Sequence, residues 1–276
     1  MKPRPFDYVQ PDTVEEAVAI LAEYGDDARI LAGGQSLVPM LNLRIVEARA
    51  LVDISRISAL DVMREVRGKI EIGAAVTQNK LLAWPQLAEK LPLVAAALPH
   101  VGHFQTRNKG TVCGSIAHAD PSSELPLTLA LLGGEVVLKS ERGERVLAAE
   151  DFQKDMLTTA RAPDELIAAV RFPLTKGGGV GRGVAFREVA RRHGDFAIVA
   201  VAAVVEDKNT VRLGVGGMAG KPMVRRFARE EAAGAIAAWA DALKGYEDLH
   251  ASAAMRRDLF RNLGPLAVTE AIRCAA

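Results

Sequence analysis

Ala32-Gly33-Gly34-Gln35-Ser36-Leu37, which follows the apolar run Arg29-Ile30-Leu31, is the most informative stretch of this chain, and Thr111-Val112-Cys113-Gly114-Ser115 repeats its character further along. Paired glycines permit positive φ angles and close backbone approach, so successive N–H groups can point into one anion-binding concavity. The first segment adds an amide and a hydroxyl side chain, and the second has a hydroxyl at each end. Two uncharged segments of this kind predict a site for a cofactor that carries a pyrophosphate.

Other interpretations of these segments remain open at the level of sequence. A single Gly-Gly-Gln-Ser run is often an ordinary turn, and only the presence of a second segment, which continues into Asp120 and Pro121, favours a cofactor site. Neither segment has the Gly-x-Gly-x-x-Gly pattern or the Gly-x-x-x-x-Gly-Lys-Ser/Thr pattern. The Rossmann and P-loop modes of phosphate binding are therefore not supported.

The motifs together make a family resemblance specific. The chain resembles the FAD-binding medium subunits of molybdenum hydroxylases, and in particular the medium chains of aerobic carbon monoxide dehydrogenases, which are similar to the flavin domain of xanthine dehydrogenase. The resemblance covers nearly the whole chain. It is carried by residues 2–11, 13–17, 32–37 with Pro39, Met40 and Arg44, 107–111, 117–126 and 187–197.

The resemblance implies an α+β fold. Residues 1–176 would form an FAD-binding domain of the vanillyl-alcohol oxidase (PCMH) type, built from two α+β subdomains. Residues 177–276 would form a smaller α+β domain with an antiparallel sheet, of the type found at the C-terminus of the carbon monoxide dehydrogenase flavoprotein. The glycine-rich run 176–183 is expected to be a linker between the two domains, and a third phosphate loop is the alternative.

The resemblance also implies which residues hold FAD. The first segment would bind the pyrophosphate, the second would form the opposite side of the site, Asp120 would contact ribityl or ribose hydroxyls, and Leu166 would pack near the flavin ring. The implied cofactor-binding residues are Ala32, Gly33, Gly34, Gln35, Ser36, Thr111, Val112, Cys113, Gly114, Ser115, Asp120 and Leu166. No catalytic or metal-binding residue is assigned to this chain.

Cys113 departs from the family pattern, which usually has Gly-Gly after the Thr-Val pair. A Cβ at a position with positive φ is strained by roughly 1 kcal/mol, so a small shift of the loop is expected there. FAD binding is still expected because the flanking donors remain. A redox role for the Cys113 thiol is the alternative.

As a function, the resemblance implies an FAD-carrying electron-transfer subunit of a heteromeric molybdenum-containing dehydrogenase. A large subunit would hold the molybdenum cofactor, a small subunit would hold [2Fe-2S] clusters, and the assembly would be a dimer of heterotrimers that reduces an external acceptor such as a quinone, NAD or oxygen. Two alternatives stay open: a self-contained FAD-dependent oxidase or reductase, and an interaction subunit that has lost the cofactor.

Composition excludes several other classes of function. A formal net charge of +1 gives no long-range attraction to nucleic acid, and no run approaches the ~18 apolar residues of a membrane helix. The only cysteines are Cys113 and Cys274, too few for an iron–sulfur cluster held by this chain alone. With no disulfide framework and no apolar leader after Met1, a cytoplasmic location is expected.

Hydrophobic periodicity predicts alternating strands and helices. Thr13-x-x-Glu16 is a capping box that starts a helix ending at Gly25. Further helices are expected at 81–83, 87–98, 125–132, 229–243 and 252–263. Strands are expected at 51–54, 70–76, 135–138, 145–147, 165–172, 197–205 and 211–216, and the Thr111 segment is expected to be a loop.

The histidines allow two interpretations each. His118 could tune the flavin or simply bond to backbone, and His193 could gate the reactive face of the ring. His100 and His103 are expected to position the second segment. None of them pairs with a serine or cysteine in a plausible triad.

Overall fold

A computed structural model describes residues 1–174 and 183–275 as an α+β structure. The strands are β1 (Asp7–Val9), β2 (Ala28–Leu31), β3 (Ala50–Asp53), β4 (Met63–Val66), β5 (Lys69–Gly73), β6 (Glu135–Ser140), β7 (Gly143–Ala148), β8 (Gln153–Asp155), β9 (Thr158–Thr159), β10 (Leu166–Pro173), β11 (Val184–Val189), β12 (Val199–Val205), β13 (Thr210–Gly216) and β14 (Met223–Ala228). The helices are α1 (Val14–Tyr24), α2 (Leu37–Asn42), α3 (Gln78–Leu82), α4 (Leu87–Lys90), α5 (Pro92–Ala97), α6 (Phe104–Lys109), α7 (Val112–His118), α8 (Glu124–Leu132), α9 (Ala149–Phe152), α10 (Ala232–Ala242) and α11 (Ala253–Ala275).

Residues before 175 form two principal sheets. The first is a three-stranded parallel sheet in the order β1-β3-β2, and the second is a five-stranded antiparallel sheet in the order β4-β5-β10-β6-β7. Strand β2 pairs with β3 as far as Leu31 and Asp53, and the chain then turns directly into the first glycine segment. The parallel sheet therefore presents that segment at the carboxyl end of its edge strand.

Residues after 183 form a four-stranded antiparallel sheet in the order β11-β12-β13-β14. Every residue of β12 is buried, because its valines and alanines alternate between two covered faces. On one face, β12 packs with α11, and the other face contacts the N-terminal part of the molecule.

Two hydrophobic clusters follow this division, and a third joins them. One cluster contains buried residues between Val14 and Phe172, and another contains residues between Ala185 and Ala271. The third brings α5 and α8 against β12 through residues such as Leu93, Leu127 and Ala200. The expected boundary at residue 176 and most of the glycine-rich run lie outside the described residues, so the boundary stays a prediction.

Most of the expected elements are present, with differences that have local causes. Helix α1 is capped by Thr13, whose Oγ1 accepts from the Glu16 N–H, and ends at Gly25 with φ +51°, as predicted. The single helix expected at 87–98 is divided into α4 and α5. Pro92 has no N–H and its ring blocks a continuing helix, so Leu91 leaves helical geometry and Pro92 starts the next helix.

The C-terminal elements differ more from those expected from the sequence. Helix α11 continues past the expected end at 263 and contains Pro265 in its interior. Gly264 packs closely against α10, where a Cβ would lie 2.7 Å from Ile236 Cγ2. The start of the helix expected at 229 is displaced by strand β14, which pairs with β13 through Ala228. Within the described residues, no helix has the length and apolar character needed to span a membrane.

Candidate cofactor-binding site

The first glycine segment lines a cavity of about 820 Å³ between the N-terminal and C-terminal parts of the molecule. Residues 32–36 lie between the end of β2 and the start of α2. Among the described residues, no backbone N–H from position 32 to position 37 donates to a protein acceptor. The Gln35 amide donates to the Gly33 carbonyl and closes the turn from its outer side. The segment therefore offers a row of unused donors at the cavity wall, which is the arrangement an anion requires.

Gly33 and Gly34 are each required to be glycine, but for different structural reasons. Gly34 has φ +69°, in the left-handed region that glycine adopts without strain. Gly33 allows a close approach of two backbones: a Cβ there would lie 2.1 Å from the Lys109 carbonyl oxygen and 2.8 Å from Gly110 Cα. The first segment thus packs directly on the chain that leads into the second segment.

The second segment is a helix start rather than the expected loop. Thr111 is the N-cap of α7, and its Oγ1 accepts from the Gly114 N–H at 2.9 Å. The Val112 N–H donates to the Val76 carbonyl at 3.1 Å, and the Val112 side chain is fully buried in the core. Val112 is therefore a core residue outside the cavity lining, and its assignment to the site stays a prediction. Thr111, Cys113, Gly114 and Ser115 line the cavity.

Cys113 does not have the strained backbone that was expected. It lies in the first turn of α7 and has no positive φ angle, so its Cβ needs no shift of the loop. Burial raises the pKa of the Cys113 thiol to about 12, and the Sγ–H group donates to the Ile72 carbonyl at 3.5 Å. A thiol with this pKa is protonated at neutral pH and unreactive, which argues against a redox role.

Selective alkylation tests this environment. In the native protein we expect iodoacetamide to modify Cys274, which is exposed, and to leave Cys113 unmodified, because the reagent requires an accessible thiolate. In denaturant both cysteines should react, which peptide mass spectrometry can measure. Modification of Cys113 in the native protein at a rate similar to that of Cys274 would contradict the buried position.

Of the two remaining predicted site residues, Leu166 and Asp120, only one lines the cavity. Leu166 lines the cavity at the start of β10, where the prediction requires it. Asp120 does not line it: its Oδ1 accepts from the Ser122 N–H at 2.8 Å and holds the turn that precedes α8. That the lining residues contact FAD stays a prediction. The Asp120 carboxylate in this conformation stabilises the turn before α8.

Sequence reasoning missed Glu124, the first residue of α8. Glu124 lines the cavity although only 3% of it is exposed, and within the described residues its carboxyl has no side-chain partner. Burial, together with a smaller contribution from the Glu188 carboxylate, raises its pKa to about 8. A single charged residue three positions after Pro121 gives no periodic signal, and its burial at the start of α8 arises only in the folded structure.

The C-terminal part contributes the third motif to the same cavity. Residues 194–196 and Arg191 line it, and Gly194, with φ +84°, brings that loop against the N-terminal part, where a Cβ would lie 2.7 Å from His103 Cε1. His100 Nδ1 lies 3.1 Å from Glu188 Oε1, which raises the pKa of His100. This ion pair links the two parts of the molecule.

The histidines are placed differently from one another. His118 lines the cavity, and burial lowers its pKa, so its imidazole is neutral. His193 is exposed and is not among the lining residues; its ring lies 6.3 Å from that of His100 and 6.4 Å from that of His103. The structure therefore gives His193 a place beside the cavity rather than in its wall.

The residues present fit a dinucleotide. The cavity volume falls in the range of about 300–1,000 Å³ that is typical of cofactor sites. Unused backbone donors lie at the first segment, and the Ser115 hydroxyl lies at the second. Apolar side chains, among them Ile54, Leu166 and Ile167, line another part of the cavity and suit a flat aromatic ring.

Comparisons with known proteins agree with this geometry. Residues 4–175 match the family described as the FAD binding domain in molybdopterin dehydrogenase. The chain is 34% identical over 280 residues to the nicotine 6-hydroxylase medium subunit of Paenarthrobacter nicotinovorans, with 96% of each chain covered. It is 41% identical over 206 residues to the caffeine dehydrogenase subunit beta of a Pseudomonas species, covering 74% of this chain and 69% of that one.

Solved structures show the same likeness over the full length. A chain of the carbon monoxide dehydrogenase of Hydrogenophaga pseudoflava superimposes with a TM-score of 0.93 at 30% identity, covering 100% of both chains. A chain of quinoline 2-oxidoreductase from Pseudomonas putida 86 gives a TM-score of 0.92 at 30% identity, again over 100% of both.

The fold and the cavity define an FAD-binding protein of mixed helix and antiparallel-sheet architecture. The chain belongs to the family of FAD-binding domains of molybdopterin dehydrogenases. The resemblance inferred from the sequence motifs is confirmed.

Proposed function

We propose that this chain binds one FAD in the described cavity and acts as the electron-transfer subunit of a heteromeric molybdenum hydroxylase. Electrons would arrive from the iron–sulfur clusters of a small subunit and leave to an external acceptor. One observation carries the proposal: the row of unused backbone N–H groups at 32–37 faces a cavity that the Thr111 segment also lines. Such a row of donors suits a bound diphosphate.

The chain's own residues bind and orient the cofactor. The N–H groups of the first segment would hold the diphosphate, and Gly33 keeps that segment pressed against the second. Leu166 and Ile167, at the start of β10, would pack against the ring. When bound, FAD supplies the ability to accept two electrons and release them singly or together.

The cavity wall also contains groups that hold a proton. With a pKa of about 8, Glu124 carries its proton on the carboxyl at neutral pH, and the neutral His118 imidazole can accept or donate a hydrogen bond. These groups set the polarity of the cavity without forming a nucleophile–base pair. Electron transfer through a bound flavin requires no such pair in the protein, in agreement with the assignment of no catalytic residue.

The relatives' names support a multisubunit assembly. The carbon monoxide dehydrogenase relative from Afipia carboxidovorans is a medium chain, and the relative from Paenarthrobacter nicotinovorans that hydroxylates nicotine is a medium subunit. We extend this to a large molybdenum-cofactor subunit and a small [2Fe-2S] subunit, assembled as a dimer of heterotrimers in the cytoplasm. The proposed domains are 1–176, with the two-subdomain PCMH-type layout, and 177–276.

Native purification tests the proposal. Isolated from its own host, the protein should show a flavin absorption spectrum, contain FAD in equimolar amount, and copurify with a molybdenum-containing large chain and an iron–sulfur small chain. Mass spectrometry of the copurifying chains, with quantification of flavin, iron and molybdenum, provides the measurement.

The alternatives give different results. A yellow chain that purifies alone and turns over a substrate would indicate a self-contained flavin oxidase or reductase. A colourless chain that does not take up added FAD would indicate an interaction subunit and would contradict the proposal.

A further inference from the structure

Two arginines line the same cavity as the first segment. Arg29 lies on β2, three positions before the first residue of the segment, and Arg161 lies between β9 and β10. Both are only partly exposed. Neither was singled out by its sequence pattern as part of the site.

Backbone carbonyls hold both side chains in place. Arg29 Nη1 donates to the Asp26 and Ala28 carbonyls at 2.5 and 2.8 Å. Arg161 Nη1 donates to the carbonyls of Ala162, Pro163 and Glu165 at 2.9, 3.1 and 2.8 Å. A carbonyl fixes a guanidinium group but does not neutralise it, so both side chains are oriented and still carry their full charge.

Three carboxylates act on Arg161 through their charge, and two of them, those of Glu165 and Asp164, are engaged by other arginines; Asp26 is the third. Glu165 accepts from Arg145 through both oxygens, at 2.5 and 2.7 Å, and Asp164 pairs with Arg142. Within the described parts of the chain, neither Arg29 nor Arg161 has a carboxylate oxygen within 4.0 Å. Burial and the charge of Arg29 lower the pKa of Arg161. Arg161 is thus partly buried and exposed to the like charge of Arg29, an arrangement that a bound anion would stabilise.

We infer that Arg29 and Arg161 form an anion subsite that binds phosphate groups of a dinucleotide in this cavity. The inference rests on the proposed function and adds a charged component to the neutral donors of residues 32–37. Guanidinium groups bind phosphate oxygens through paired, charge-assisted hydrogen bonds. The phosphates can belong to FAD itself or to a second dinucleotide that accepts electrons, and the experiment separates these sources.

Calorimetric titration of the apo form of the full chain provides the test. We compare wild type with Arg29→Gln, Arg161→Gln and the double variant, using FAD, ADP and riboflavin as ligands at low and high salt. Loss of a charge-assisted contact should weaken binding of FAD and ADP by about tenfold to hundredfold per arginine. Riboflavin has no phosphate, so its affinity should not change, and the salt dependence of FAD binding should decrease in the double variant.

Control variants separate charge from folding. Arg49→Gln removes an exposed arginine that pairs with Asp27 and does not line the cavity, and it should bind FAD like wild type. Arg161→Gln also removes contacts to three carbonyls, so that variant can fail to fold. In that case Arg29→Gln tests the loss of charge, and Arg161→Lys, which keeps the charge, should retain FAD binding.

The outcomes are distinct. Weaker binding of FAD and ADP in the arginine variants assigns the subsite to the cofactor. Unchanged FAD affinity, with arginine-dependent binding of ADP-ribose to the FAD-loaded protein, assigns it to a second dinucleotide. If wild type binds FAD and no phosphate ligand responds to either arginine, the inference is wrong although the proposed function stands. If wild type does not bind FAD, the proposed function itself fails.

Discussion

Replacing Gly33 by valine should abolish FAD binding while leaving most of the fold intact. A Cβ at this position would overlap the Lys109 carbonyl oxygen at 2.1 Å and the carbonyl carbon at 2.7 Å, and both are backbone atoms that cannot rotate away. The first segment must therefore move off the chain that leads into the second segment, and its row of N–H donors would no longer point into the cavity. Loss of several hydrogen bonds to a charged diphosphate should lower the affinity by at least about a hundredfold.

The measurement is FAD affinity by quenching of flavin fluorescence, with circular dichroism to verify the fold. Gly234→Ala is the matched control: Gly234 lies in α10, with no atom within 4 Å of an added Cβ, and the change should leave FAD affinity unaltered. Gly33→Ala should show the same defect as valine, because the Cβ alone creates the overlap. A Gly33→Val protein that binds FAD with wild-type affinity would show that the two segments do not form one site.

The parts of the site that the sequence predicted correctly depend on local chemistry. Strand β2, the turn at Gly34 and the start of α1 at Thr13 follow from residues within a few positions of each other. Their geometry is set by φ preferences and by a capping hydroxyl, which a sequence pattern states directly. Helix α8 and strands β12 and β13 were predicted for the same reason, because a short apolar run is bounded by turn residues.

The parts that were not predicted depend on contacts between distant segments. Thr111 caps the start of α7, and contacts with a distant segment fix where that start lies: Thr111 forms an isolated bridge with Thr77, and the Val112 N–H donates to the Val76 carbonyl. Val112 is fully buried there, and Cys113 has an ordinary helical backbone. Burial of Glu124 and the charge left on Arg161 likewise arise from neighbours far along the chain. Periodicity and local motifs contain no information about such neighbours.

The second prediction with a large expected effect concerns Glu124 and the pH dependence of the free energy of unfolding. Its carboxyl is almost fully buried and faces three titratable groups: Glu188 on β11 and Asp120 raise its pKa, whereas His100 lowers it. In the unfolded chain the same carboxyl returns to its ordinary acidic range. The folded state therefore binds this proton more tightly, so the contribution of Glu124 to stability is fully present at low pH and is lost as the pH rises toward and through about 8.

We expect Glu124→Gln to remove this pH dependence. Glutamine has similar size and no charge, so the variant should match wild type near pH 5 and exceed its free energy of unfolding at pH 9 by on the order of 4 kcal/mol. Urea unfolding of both proteins at pH 5, 7 and 9 provides the comparison, since it reports the free energy rather than the activity of the assembly.

Two further variants isolate the cause. Glu23→Gln changes an exposed glutamate of α1 and should leave the pH profile as in wild type. Glu188→Gln removes the like charge that faces Glu124, so the pKa of Glu124 should fall in the folded protein. The loss of stability should still begin near the pKa of the unfolded chain, but it should end at a lower pH and reach a smaller extent. That variant also breaks the contact with His100, so its stability below pH 7 should decrease at the same time. If Glu124→Gln and wild type have parallel profiles from pH 5 to 9, the carboxyl is hydrated in solution and the cavity wall at α8 is open to water.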